Sequence, residues 1–260
     1  MKIAIIGHGA IAQHVRAHLK ALEIIEVAQV VRPGKEAPGD QATPPRISDL
    51  HDLAERPDLI VDCGGHAALA AHGPVALAMG FDVLTVSLGA LADPDLEAEL
   101  VIAAKSGGAR LCLSSGAIGG LDALRGAATG QITAVTYTGR KPPLGWQGSP
   151  AEAALDLATL AVPTTHFTGT ARQAALGYPK NANVAAAVAL AGIGFDDTKV
   201  ALIADPTITT NIHEITATGA FGSFKFTISG NGLPDNPKSS ALAAMSIVAD
   251  LAARQKRISF

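Results

Sequence analysis

The glycine-rich turn near residue 7 is the feature that most restricts the fold of this chain. Residues 2–6 read KIAII, which predicts a buried strand, and GHGAIA follows directly at residues 7–12. This is GxGxxA, a tolerated variant of the GxGxxG sequence that joins the first strand and helix of a dinucleotide-binding domain. Gly7 permits a tight turn, Gly9 leaves room for a pyrophosphate, and Ala12 lets the helix lie close to the strand.

The helix that follows this turn is expected to hold the phosphates. Its first N–H groups have no partner within the helix, and the helix dipole adds a positive potential there. The expected cofactor contacts are Gly7, Gly9, Ala10 and Ile11. A glycine turn in an α/β domain that binds no nucleotide is the alternative, and the position of the motif between a strand and a helix disfavours it.

The end of the second predicted strand bears on the choice between NAD and NADP. Enzymes that use NAD usually carry an Asp or Glu there, about 20 residues after the glycines. Here the strand ends in Val31, Arg32 and Pro33, with Lys35 close by. Arg32 could bind a 2′-phosphate and stack on adenine, and a solvated loop arginine is the plainer alternative. We expect NAD or NADP as cofactor, with NADP used at least as well as NAD.

The spacing of apolar residues predicts a parallel sheet wound with helices in the first part of the chain. Further strands are predicted at residues 25–31, 59–63, 83–87 and 110–114, and helices at residues 10–22, 67–79 and 93–105. Gly73-Pro74 is expected to start a new segment within the second helix. Residues 31–49, rich in Pro and Gly, are expected to form a surface loop.

After about Gly116 the pattern changes. Strands are predicted at residues 132–140, 199–204, 213–218 and 223–228, and helices at residues 151–160, 183–191 and 239–254. The close spacing of several of these strands favours an antiparallel sheet. The predicted fold class is α/β: an N-terminal Rossmann domain with a doubly wound parallel sheet, and a smaller α+β catalytic domain with a mostly antiparallel sheet. The predicted domains are residues 1–116 and 117–236, and the helix at 237–260 is expected to pack back on the first.

Composition argues against several classes of protein. A net charge of −3 without a basic stripe gives no reason to expect nucleic acid as a partner. The charge-free runs are too short or too interrupted for a membrane span, and no signal peptide is recognisable, so a cytoplasmic protein is expected. Cys63 and Cys112 lie in apolar runs without a CxxC spacing, which predicts buried thiols and no metal site.

Four segments after the glycine turn resemble the L-aspartate dehydrogenase family. They are SSGAIGGLDAL, PKNANVAAAVALAGIGFDDT, ADPTITTNIHEI and NPKSSALAA, at residues 114–124, 179–198, 204–215 and 236–244. The resemblance implies oxidation of L-aspartate at Cα, with hydride transfer to the nicotinamide. The product iminoaspartate would hydrolyse to oxaloacetate and ammonia or pass on to quinolinate and NAD biosynthesis. The resemblance also implies a homodimer.

The resemblance assigns three positions in this chain. It implies that His213 is the active-site histidine, and that Ala117 and Asn183 contact the cofactor near the nicotinamide. A histidine suits proton transfer or the orientation of water near neutral pH, while Asn183 could instead be a helix N-cap. If residues 213–218 form a strand, Glu214 faces away from His213.

The substrate is a dianion over its two carboxylates, so its pocket needs cations or aimed N–H groups. We expect Lys180 to bind it, with Lys141 and Arg172 as the alternatives. Two other functions stay open at this point. One is an NAD(P)-dependent reductase of another small amino or keto acid, and the other is a non-catalytic dinucleotide-binding sensor.

Overall fold

The computed structural model describes residues 1–38, 42–179, 181–234 and 236–258, with the backbone only at residues 237 and 238. The chain divides into two compact units. The first contains Met1–Ala90, Pro94–Ser114 and Ala243–Phe260, and the second contains Leu91–Asp93 and Ser115–Leu242. The two units are of nearly equal length. No helix within the described ranges is both long enough and apolar enough to cross a bilayer.

The first unit is built on a six-stranded parallel sheet with the strand order β3-β2-β1-β4-β5-β6. The strands are β1 (Lys2–Ile6), β2 (Ile25–Val30), β3 (Arg46–Ile47), β4 (Leu59–Asp62), β5 (Val83–Thr85) and β6 (Leu111–Leu113). The order reverses between β1 and β4, and ligands of open α/β sheets bind beyond the carboxyl ends of the strands at such a point. The predicted Rossmann sheet is thereby confirmed.

Four long helices belong to this unit in whole or in large part: α1 (Ala10–Leu19), α2 (His66–Ala78), α3 (Pro94–Gly107) and α8 (Ala241–Gln255). Helix α8 follows the second unit in the chain, and its residues from 243 onward belong to the first unit. Its Ile247 and Leu251 are fully buried in one cluster with Ile3, Ile5 and Val15. Burying such aliphatic side chains contributes about 1.5–3 kcal/mol each.

Two expectations for the first unit were wrong. Residues 46–47 form the edge strand β3, where a loop was expected, because Arg46 and Ile47 pair with the end of β2. Helix α2 runs without a break through Gly73-Pro74. Gly73 is packed so tightly that an added Cβ would lie 2.8 Å from Leu100 Cδ2, and this packing against α3 overrides the helix-breaking tendency of proline.

The second unit contains a five-stranded sheet with the order β11-β10-β7-β9-β8. Its strands are β7 (Ile132–Lys141), β8 (Thr164–Thr170), β9 (Lys199–Ala204), β10 (Asn211–Gly219) and β11 (Gly222–Gly230). Only the β7–β9 pair is parallel, and the other three pairs are antiparallel. This confirms the mostly antiparallel sheet.

The remaining elements of the second unit were only partly predicted. Its helices are α4 (Leu121–Ala127), α5 (Ala151–Ala154), α6 (Ala171–Gly177) and α7 (Asn183–Ala191), and a small sheet pairs β12 (Gly232–Leu233) with β13 (Asn236–Ser240). Strand β8 and helices α4 and α6 had not been expected. Helix α5 has 4 residues and ends well before residue 160.

Candidate active site

The predicted pyrophosphate turn has the geometry that a dinucleotide requires. Gly7 has a φ of +105°, and an added Cβ would lie 2.9 Å from Gly64 Cα, so only glycine fits there. At Gly9 an added Cβ would meet nothing within 4 Å, which leaves open space above the backbone. Gly9 is also the N-cap of α1 and supplies no side-chain hydrogen bond to the first turn. A phosphate can therefore approach the N–H groups at this helix end.

An ion pair between α1 and β2 holds this turn in place. Arg16 Nη2 donates to the carbonyl of Gly7 at 3.2 Å. The same guanidinium donates to both carboxylate oxygens of Glu26 on β2. A bidentate pair of this kind holds the arginine in one orientation. Sequence reasoning missed both residues, although Arg16 lies one turn of helix beyond the glycine motif.

A buried carboxylate organises the adjacent loop after β4. Asp62 is fully buried and accepts hydrogen bonds from Gly64 N at 2.9 Å, Thr85 Oγ1 at 2.7 Å and Ser87 Oγ at 2.6 Å. Burial raises the pKa of Asp62, and these hydrogen bonds act against that rise. The neighbouring Cys63 is a free thiol. The network holds Gly64 against Gly7 at the switch point of the sheet.

The end of β2 presents positive charge. Arg32 and Lys35 are both exposed, and Arg32 forms no ion pair with any residue in the described ranges. His8 Nδ1 lies 2.8 Å from Nε2 of Gln29. This contact joins the glycine motif to β2. The arrangement supplies an available cation and no carboxylate at the position where NAD enzymes carry one.

The second unit brings a set of polar side chains onto one face of its sheet. In the antiparallel pairing of β7 with β10, His213 lies opposite Gly139 and Ile215 lies opposite Tyr137. Side chains two residues apart on a strand share a face. Tyr137 and Lys141 therefore flank Gly139 on the face that carries His213. All three polar side chains are deeply buried, with exposed fractions of 1%, 9% and 4% for Tyr137, Lys141 and His213.

The hydroxyl of Tyr137 is 2.8 Å from Nδ1 of His213. The two rings lie nearly parallel, with centroids 6.1 Å apart and planes at 17°. Glu214 points to the other face, where it pairs with Lys225, so the expectation that it does not orient His213 is confirmed. The orienting group is Tyr137, which sequence reasoning missed because it lies 76 positions away.

Burial sets the charge states on this face. Burial, together with a smaller effect of the positive charge of Lys141, lowers the pKa of His213 to about 4. Burial also lowers the pKa of Lys141 to about 8. Lys141 Nζ donates to Asn181 Oδ1 at 2.7 Å and lies 5.1 Å from the ring centroid of Trp146. At neutral pH the imidazole is uncharged, whereas the amine lies about one pH unit below its pKa and is still mostly protonated.

The loop that leads into β10 is anchored by a second buried acid. Asp205 has no exposed surface, and its Oδ2 accepts from Arg140 Nη1 at 3.0 Å. Its Oδ1 accepts from both the backbone N–H and the hydroxyl of Thr207. Burial opposes ionisation of Asp205, but these contacts prevail and lower its pKa. The ion pair between Arg140 and Asp205 therefore fixes the chain at the loop that precedes His213.

The other candidate residues of this unit lie at its helix ends and turns. Ala117 is half-buried in the turn between β6 and α4. Asn183 is the first residue of α7, and the N-cap is Ala182, so the alternative that Asn183 caps the helix is wrong. Lys180 lies outside the described residues. Arg172 is bound to both oxygens of Asp196.

Two family models match the chain. The model described as "Aspartate dehydrogenase, C-terminal" covers residues 122–254. The model described as "Homoserine dehydrogenase, NAD binding domain" covers residues 7–114. The first match contains His213 and Lys141, and the second begins at Gly7.

Similar proteins cover nearly the whole chain. L-aspartate dehydrogenase of Ruegeria pomeroyi is 58% identical over 98% of this chain and 92% of its own length. L-aspartate dehydrogenase of Pseudomonas aeruginosa is 44% identical over 95% of each chain. The crystal structure of aspartate dehydrogenase from Thermotoga maritima has a TM-score of 0.76 and 27% identity, and the match covers 100% of this chain and 99% of that one. The chain therefore belongs to the L-aspartate dehydrogenase family.

Proposed function

We propose that this protein catalyses the NAD(P)-dependent oxidative deamination of L-aspartate. Hydride leaves Cα for the nicotinamide, and the resulting iminoaspartate hydrolyses to oxaloacetate and ammonia or passes into NAD biosynthesis. The observation that carries this proposal is the 58% identity to a named L-aspartate dehydrogenase over 98% of the chain. The buried His213 site lies within the segment that matches the C-terminal model of that family.

The first unit provides the cofactor contacts in this proposal. Gly7, Gly9, Ala10 and Ile11 would hold the pyrophosphate, and the open space above Gly9 and the uncapped end of α1 fit that group. The bound nicotinamide supplies a two-electron hydride acceptor. Arg32 would bind the 2′-phosphate when the cofactor is NADP.

The second unit provides the substrate contacts. His213 is the proposed catalytic histidine, and Tyr137 holds its ring through Nδ1, so that Nε2 is available to the substrate or to the water that attacks the imine. Ala117 and Asn183 are the proposed contacts on the nicotinamide side of the cofactor. Lys180 is the proposed cation for a substrate carboxylate.

We further propose that the protein works as a cytoplasmic homodimer. This extends the membership of the family. Sedimentation of the purified protein would give the mass of the particle in solution, where the monomer mass is 26.3 kDa.

The direct test is a steady-state assay of the purified protein with NAD and NADP against a panel of amino acids. Aspartate-dependent reduction of the cofactor supports the proposal. Activity with a different amino or keto acid and none with aspartate would replace it by the reductase alternative. Cofactor binding without turnover of any substrate would identify a sensor.

The role of His213 is tested in the same assay. We expect His213→Ala to lower kcat by a factor on the order of 10² or more, the range typical of the loss of a catalytic side chain. Binding of the cofactor, measured by fluorescence of the reduced nicotinamide, should be unchanged. Unchanged turnover would remove His213 from the mechanism.

A further inference from the structure

The hydrogen bond between Tyr137 and His213 determines which imidazole nitrogen carries the proton. Within the described residues, the Tyr137 hydroxyl has no other hydrogen-bond partner than His213 Nδ1, and burial raises the pKa of this phenol, which keeps it protonated. A buried O–H without an acceptor is costly. The hydroxyl therefore donates to Nδ1. A neutral imidazole has one N–H, so in His213 it lies on Nε2.

This tautomer leaves His213 as a donor toward the substrate. Nε2–H can donate a hydrogen bond to a carboxylate oxygen or to a water. Because Nε2 already carries a hydrogen, this nitrogen cannot accept a proton from the substrate. Oxidation of an amino acid requires such an acceptor, because the substrate arrives as an ammonium and hydride leaves Cα only when the nitrogen has a lone pair. A different group on this face must accept that proton.

Lys141 is the group on this face that can do so. It lies two residues from Gly139, the cross-strand neighbour of His213, and on the same face of the sheet. Its amine is buried, and no carboxylate of the described residues lies within ion-pair distance. Among the described residues, its hydrogen-bond partner is the neutral amide of Asn181. A buried ammonium without a counterion gives up its proton easily.

The titratable groups around Lys141 can be named. His213 faces it from β10. His166 on β8 meets the ring of Trp146 edge-on, with the two ring centroids 4.4 Å apart. Asp205, whose N–H donates to the Lys141 carbonyl at 2.9 Å, has its carboxylate bound to Arg140. None of these supplies the amine with a negative partner.

We propose that the neutral amine of Lys141 is the general base of the reaction, while His213 holds the substrate through Nε2–H. This rests on the proposed oxidation of aspartate. The substrate ammonium transfers one proton to Nζ of Lys141, which becomes an ammonium, and the substrate nitrogen gains a lone pair. The Cα–H bond then breaks with both electrons going to the oxidised nicotinamide, and a C=N double bond forms. The substrate loses two electrons and the cofactor gains them.

The first test measures protonation of Lys141 without any turnover. The chain has a single tryptophan, Trp146, whose ring contacts both Lys141 and His166. Its fluorescence should change in two steps with pH, near 4 for His166 and near 8 for Lys141. In Lys141→Met the step near 8 should be absent and the step near 4 should remain. A step near 8 that survives in this variant would overturn the proposal.

The second test separates a base from a carboxylate-binding cation. Lys141→Arg keeps a positive charge but cannot accept a proton near neutrality. We expect both Lys141→Arg and Lys141→Met to lower kcat by a factor on the order of 10²–10⁴. A Lys141→Arg variant with kcat within a few-fold of the parent protein would show that only the charge matters and would overturn the proposal.

Chemical rescue provides the third measurement. Small primary amines added to Lys141→Ala should restore part of kcat, and the rescue should increase with the basicity of the amine. Absence of rescue in a variant that still binds succinate, an aspartate analogue without an amine, would count against Lys141 as the base. Lys199→Met, which removes an exposed lysine of β9, is the matched control and should keep full activity.

These results are distinguishable from failure of the proposed function. If the unmodified protein does not oxidise aspartate, the proposed function fails before any variant is made. If it does, and the variants keep their kcat, only the role of Lys141 fails. The melting temperature of each variant shows that it is folded.

Discussion

Gly139 lies directly opposite His213 in the ladder between β7 and β10, and a side chain at this position would collide with Tyr137. An added Cβ would lie 2.7 Å from the Tyr137 hydroxyl oxygen and 3.2 Å from Leu202 Cδ2. The glycine therefore provides the space in which the tyrosine reaches the imidazole. Its backbone is not in the left-handed region, so the requirement comes from space alone.

Gly139→Ala should displace Tyr137 and break its hydrogen bond to His213. Overpacking of this kind costs about 1–3 kcal/mol, so we expect a lower free energy of unfolding together with a loss of kcat. Urea unfolding and steady-state kinetics measure the two effects. Thr138→Ala, on the opposite face of the same strand, is the control. A Gly139→Ala protein with unchanged kcat would show that the tyrosine contact is dispensable.

The two glycines of the pyrophosphate turn should respond differently to alanine. Gly7→Ala places a Cβ against Gly64 in a left-handed backbone, which should cost at least about 1–3 kcal/mol of stability. Gly9→Ala meets no protein atom within 4 Å, so stability should be unchanged while the affinity for NAD(P) falls. Thermal unfolding and cofactor titration distinguish the two. Equal cofactor affinity in Gly9→Ala and the parent protein would contradict phosphate binding at this turn.

Arg32 should set the preference for the phosphorylated cofactor. Removing a hydrogen bond to a charged group costs about 1.5–3 kcal/mol, so Arg32→Ala should lower kcat/KM for NADP by about 10- to 100-fold. The value for NAD should change little. Lys35→Ala, two positions beyond Pro33, tests whether any positive charge in this loop suffices. An equal loss with both cofactors, or a strong preference of the parent protein for NAD, would exclude this role.

The buried histidines should make the protein less stable in mild acid. The pKa values of His213 and His166 are about 4 in the folded protein, below the value of about 6.5 expected when unfolded. Below pH 6.5 the unfolded chain therefore binds protons that the folded chain does not. Stability is complete above pH 6.5 and decreases as the pH falls toward 4, by about 3 kcal/mol for His213.

The free energy of unfolding, measured in urea between pH 7 and 4, checks this pH dependence. His213→Asn should flatten part of the decrease, and exposed His51 provides the control substitution. If His213→Asn had the same slope as the parent protein, the imidazole would not be held neutral in the folded state.

The sequence was most informative where strands are continuous apolar runs. Strands β4 and β5 are buried along their length, and β1 is buried after Lys2, so apolar patterning was enough to find them. Strand β8 reads TTHFTGT and is only partly buried, and it carries no such pattern. The following helix had a usable signal, because Thr170 and Gln173 form a capping box at its start.

The candidate site was predicted in part for a similar reason. His213 lies in a distinctive segment and could be named from it, and the glycine turn could be placed because strand, motif and helix are contiguous. The partnership of Tyr137 with His213 depends on the register of β7 and β10, which no local pattern specifies. Burial of Lys141 likewise depends on the packing of Trp146 and Asn181 around it, and sequence reasoning favoured Lys180 instead.

The return of α8 to the first unit has a consequence for how the protein is made. Ile247 and Leu251 complete a core that begins with Ile3 and Ile5, yet the ribosome releases them only after the entire second unit. Until then the first unit exposes to solvent the apolar surface that these two side chains later cover. A fragment that stops after β6 should therefore aggregate or bind chaperones, and adding residues 243–258 as a separate peptide should restore its solubility.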